Sequence, residues 1–93
     1  MANSRSITVK VTEDGSIILD EELSMLKQMR GLLMTSFHGY LGLLDKYGAD
    51  DPTVFNAGNE FFKYLRFAND TASIINYEFE ADPVNGKITF KRI

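Results

Sequence analysis

The sequence predicts an α+β fold in two layers, with the element order ββααββ, from three observations. Apolar and polar residues alternate near both ends of the chain, apolar residues recur at steps of three and four through its middle, and only "KYGADDP" separates two helical stretches. Four strands sharing one apolar face, laid against an antiparallel αα-hairpin, give a mostly antiparallel sheet under a helical layer. The 93 residues read as a single domain, 1–93, because a chain of this length builds one modest core.

The first β-hairpin is expected over 6–19. "SITVKVTEDGSIILD" alternates Ile7, Val9 and Val11 with Thr8, Lys10 and Thr12, passes through Glu13-Asp14-Gly15, and returns through Ile17 and Leu19. A two-residue turn at Asp14-Gly15 would put Ile17 and Leu19 on the polar face. A three-residue loop with Gly15 left-handed sets Val11 opposite Ile17 and Val9 opposite Leu19, and the face to be buried selects this register.

A helix follows over 20–47, with Asp20 as its N-cap and Glu21 and Glu22 in the first turn, where carboxylates suit the positive terminus. Leu26, Met29, Leu33, Phe37, Tyr40, Leu44 and Tyr47 form its core stripe, and Gly48 ends it. The second helix, 51–73, starts on Asp51 with Pro52 in the first turn, where a missing N–H does no harm. Its stripe is Val54, Ala57, Phe61, Leu65, Ala68 and Ala72. From Ile75 the period changes to two, and "ADPVNG" turns a second β-hairpin over 75–92. Ile75, Tyr77 and Phe79 alternate with Asn76, Glu78 and Glu80, and Ile88 and Phe90 are expected inward, with Lys87, Lys91 and Arg92 balancing Glu78 and Glu80 across strands.

An apolar share of 44% and a charged share of 25% place the chain among globular proteins. The absence of cysteine removes disulfides and thiolate chemistry and fits a cytoplasmic protein. "MANSRSITVK" has no apolar stretch of the secretory kind. A net charge of -3 gives no general attraction to phosphate, so nucleic-acid binding would need a local basic patch.

The most unusual segment is "GLLMTSFHGYLGLL", residues 31–44, with three glycines and the chain's single histidine in an otherwise apolar run. It is shorter than the roughly 20 apolar residues of a membrane span and carries Thr35, Ser36 and His38. One helical turn either side of His38 there is no carboxylate or second imidazole, so neither a catalytic dyad nor a metal set forms locally. On a helical wheel Gly31, Thr35, His38 and Gly42 fall opposite Leu33, with Gly39 on the flank. Each glycine costs about 1 kcal/mol relative to alanine inside a helix, which close packing of another helix against this small-residue face would offset. The alternatives are a break near Gly31 or Gly39, since 28 helical residues span about 42 Å, or glycines with no structural role.

The second helix has surplus rings: Phe55 and Phe62 lie off one edge of its stripe and Phe67 off the other. Bulky rings and a glycine face are complementary shapes that can meet within the chain or across a twofold axis. The alternative is a wide core face in a single chain.

Surplus apolar surface without a reactive constellation points to a non-enzymatic interaction module, a homodimer or small oligomer that binds a protein partner. No catalytic residue, metal ligand or cofactor is assigned. Asp50-Asp51 and the Glu78–Asp82 acids are accounted for by capping and by a strand and turn, so a small enzyme with a cleft at a dimer interface is the remotest reading.

The stretch "VKVTEDGSIILDEEL" supports a different alternative. It resembles the opening hairpin of AbrB and MazE-type swapped-hairpin regulators, with a similar rhythm of strand, glycine turn, strand and helix over about 15 residues. The resemblance implies a DNA-binding transcriptional regulator, with Arg5, Lys10, Lys87, Lys91 and Arg92 as phosphate contacts. The chain has Asp20 where that family usually has proline, and a much longer helical insert before a closing hairpin.

Overall fold

The structure, a computed structural model, describes residues 9–11 and 17–93. It is α+β, with two long helices and an antiparallel sheet. Strand β1 (Val9–Val11) pairs with β2 (Ile17–Leu19) in the register Val9 opposite Leu19 and Val11 opposite Ile17. The loop between them lies outside the described residues. Helices α1 (Asp20–Tyr47) and α2 (Pro52–Ala72) follow, then strands β3 (Tyr77–Asp82) and β4 (Lys87–Arg92).

Two features of the expected sheet are corrected. The strands form two separate two-stranded sheets, β1-β2 and β3-β4, rather than one shared layer. Strand β2 runs into α1 with no residue between them, so the first hairpin extends from the helix end instead of folding alongside β3 and β4. Its inward face is also the opposite one. Ile18 is buried in the core, while Val11, Ile17 and Leu19 are exposed.

Helix α1 is continuous through Gly31, Gly39 and Gly42, so the alternative of a break near Gly31 or Gly39 does not occur. Leu19 rather than Asp20 holds the N-cap position, and Asp20, Glu21 and Glu22 all sit in the first turn beside the unpaired amides. At the far end Gly48 adopts φ 84°, and its N–H reaches the Leu44 carbonyl at 2.9 Å. Helix α2 starts as its sequence dictates, the Asp51 carboxylate accepting the Thr53 N–H at 2.8 Å ahead of the turn that Pro52 begins.

Ile75 is not a strand residue. Ser73–Ile75 forms a 3-10 turn that ends on Asn76 in the left-handed region, φ 63°, so the second hairpin begins at Tyr77. Phe79 stands opposite Phe90 and Asp82 opposite Lys87. Lys91 lies 2.7 Å from Glu80 and 3.8 Å from Glu78, and Glu80 beside it holds the ammonium pKa up.

The core runs through these elements. Leu26, Leu33 and Phe37 of α1, Phe61, Ala68 and Ala72 of α2, and Tyr77, Phe79 and Ile88 of the second hairpin are buried together with Ile18. The Phe37 and Phe61 rings stack at 4.6 Å, and the Arg30 guanidinium sits 5.3 Å over the Phe90 ring. The β3-β4 hairpin thus covers one side of the helix pair.

Candidate protein-interaction surface

The side of the helix pair away from β3-β4 is open. Between α1 and α2 runs a groove of about 790 Å³, whose floor is Leu33, Tyr40 and Ala68. Its α1 wall is Met29, Leu32, Thr35, Ser36, Gly39 and Leu43, and its α2 wall is Ala57, Glu60, Tyr64, Phe67 and Thr71. Leu32 is 75% exposed and Phe67 60%, so two large apolar side chains stand at the groove with little cover.

Of the two ways the glycine face could be packed, within the chain or between chains, the first is not seen among the described residues. A Cβ built on Gly31, Gly39 or Gly42 would meet nothing within 4 Å, so no described element packs closely on that face. Gly39 lines the groove, whereas Gly31 and Gly42 are simply exposed. Thr35 is satisfied locally, its hydroxyl donating to the Gly31 carbonyl at 3.1 Å. The glycine that permits close helix approach is Gly58 on α2, where a Cβ would lie 2.9 Å from Tyr40 Cε1.

The three phenylalanines part company in the same way. Phe67 belongs to the groove. Phe62 ends an aromatic chain, 5.4 Å from the Phe61 ring and 6.4 Å from that of Tyr40, with much of its surface in solvent. Phe55 is exposed near the start of α2. Among the described residues none of them packs against Gly31, Gly39 or Gly42, so the intrachain form of ring-against-glycine packing is not seen.

His38 is structural. Its Nε2 lies 2.5 Å from the Gly86 carbonyl, an acceptor only, so the imidazole donates there and ties α1 to the β3-β4 turn. Gly86 needs its φ of 65° for that turn. On the other helix the Asn69 amide plays the same docking role: Oδ1 accepts the Phe79 N–H at 2.6 Å and Nδ2 donates to the Phe79 carbonyl at 3.3 Å. Sequence reasoning passed over Asn69, although a helical asparagine one residue beyond Ala68 of the core stripe was a usable signal.

Of the five candidate phosphate contacts, Lys87, Lys91 and Arg92 lie on β4 among the described residues, Lys87 and Lys91 on the same exposed strand face. Lys91 is engaged by Glu80 and Glu78, Lys87 stands opposite Asp82 and Arg92 opposite Tyr77. Arg5 lies outside the described residues, and of Lys10 only the backbone, opposite Ile18, is described.

Within the groove the Tyr64 hydroxyl donates to Glu60 at 2.8 Å, and that bond and the carboxylate's charge raise the phenol's pKa, keeping it protonated. Among the described residues no three His, Asp or Glu side chains form a metal-binding group, and no helix is long and apolar enough to cross a membrane. Comparison with family models, with curated proteins and with solved structures finds no match to this chain.

Proposed function

We propose that this chain is a small non-enzymatic interaction module, a homodimer or small oligomer that engages protein through the apolar surface of its helical hairpin, in the cytoplasm. The observation that carries this reading is the open groove between α1 and α2, with Leu32 and Phe67 exposed on its two walls. Contiguous apolar surface of this kind is uncommon on monomeric proteins and marks sites of association. In this reading the ββααββ order is a working division. The β3-β4 hairpin backs the helices, the first hairpin forms an arm, and the opposite helical face is left for a partner. Engagement of Lys91 by carboxylates favours protein over a duplex as the partner.

Light scattering coupled to size exclusion tests the reading. Self-association is expected to give at least twice the 10.5 kDa chain mass at micromolar concentrations. A constant monomer mass up to about 100 μM would overturn it.

A further inference from the structure

We infer that the occupant of the groove is a second copy of this chain, and that two helical hairpins close face to face into an antiparallel four-helix bundle, with the β3-β4 hairpins on the outside. The inference rests on the proposed self-association and assigns its surface and geometry.

Three observations converge on it. The first is cadence. On α1 the groove wall steps Met29, Leu32, Ser36, Gly39, Leu43, with Thr35 beside Ser36, and on α2 it steps Ala57, Glu60, Tyr64, Phe67, Thr71. Both advance by three and four in alternation, the spacing that keeps a seam facing a neighbouring helix. Each helix therefore carries two stripes, one spent on the core and one unspent.

The second is size. The groove walls run from Met29 to Leu43 on α1 and from Ala57 to Thr71 on α2, about 21 Å on each helix, and two helices side by side are about 20 Å wide. That is a flat footprint of roughly 400 Å², at the low end of specific interfaces and suited to a concentration-dependent dimer.

The third is complementarity. Phe37 stacks on Phe61 and Tyr40 abuts Gly58, which sets the levels along the pair: Leu32 stands level with Phe67 and Gly39 level with Glu60. A twofold axis parallel to the helices keeps those levels between chains and makes all neighbouring helices antiparallel. Leu32 then meets the Phe67 ring of the second copy. The small stretch Thr35, Ser36 and Gly39 faces the second copy's Tyr64 and Glu60. Gly39 leaves room beside Glu60, the charged member of the seam, for its carboxylate to stay hydrated. The open space at Gly39 is thereby used between chains.

Sedimentation equilibrium on the wild type, Leu32→Glu, Phe67→Glu, Phe55→Glu and Val84→Glu tests the assignment, with helical circular dichroism recorded on each. Leu32→Glu and Phe67→Glu are expected to weaken the dimer at least about 100-fold while helicity is kept. Phe55→Glu and Val84→Glu, the latter at a site 89% exposed on the β3-β4 turn, are expected to change it less than about threefold. If Phe55→Glu dissociates the dimer and the groove variants do not, the interface lies elsewhere; the inference falls and the proposed self-association stands. A monomeric wild type overturns both. Groove variants that keep the wild-type dimer constant overturn the inference alone.

Discussion

Gly58 and the glycines of α1 obey opposite physical constraints, and substitution separates them. A methyl group on Gly58 would press on a Tyr40 ring already held between Phe61 and Phe62. Gly58→Ala is therefore expected to lower unfolding free energy by about 1–2 kcal/mol, overpacking outweighing the gain in helix propensity. Gly31 and Gly42 have open space around them, so Gly31→Ala and Gly42→Ala should each raise stability by about 1 kcal/mol. Chemical denaturation measures all three. A destabilising Gly31→Ala would show that something covers that face. The sequence showed seven glycines without distinguishing these cases, because a glycine that admits a neighbour differs from an idle one only in what stands opposite. Tyr77 poses a related problem. Its ring is buried as its alternation predicts, yet among the described residues its hydroxyl has no partner, a detail that no pattern of polarity encodes.

At the scale of elements, the second hairpin is held by its turn and by two side chains that reach it from the helices. Asp82 accepts the Val84 and Asn85 N–H groups and the Asn85 side-chain amide, and these bonds, Asn85's first, hold its carboxyl pKa below 3.8. A carboxylate with a depressed pKa contributes stability that is complete above the unfolded-state value. That contribution is lost as pH falls through the lower folded one. The Val84 and Asn85 amide resonances should accordingly titrate with a midpoint below 3.8, and Asp82→Ala should abolish that titration. A midpoint at or above 3.8 would contradict the turn geometry. Helix existence, the Asp51-Pro52 start and the Gly48 stop were legible because they depend on neighbours in sequence. The inward face of β2 was not: register is local, but which face is buried depended on β2 entering α1 directly, which turned Ile18 toward Leu26 and the core. Asn69 and His38, which dock the hairpin through Phe79 and Gly86, act across sequence separations of 10 and 48 residues that periodicity does not register.

The whole molecule is elongated, 60 × 25 × 18 Å, with a radius of gyration of 16.4 Å. A compact domain of this length would have a radius of gyration of about 12 Å. Such a shape leaves much surface per residue exposed, and the proposed closure of two copies along the helices would cover the part of it that lines the groove. The surplus of apolar residues on both helices could be read from the sequence, and so could the two ways of covering it. The groove itself could not, since Leu32, Leu43 and Tyr64 acquire meaning only once the β3-β4 hairpin is seen to occupy the other side. The most direct measurement is an isotope-filtered nuclear Overhauser experiment on a mixture of labelled and unlabelled chains. Cross-peaks between the Leu32 methyls of one copy and the Phe67 ring of the other are predicted. Intermolecular cross-peaks confined to Phe55, or to Val11 and Ile17 of the first hairpin, would contradict the bundle.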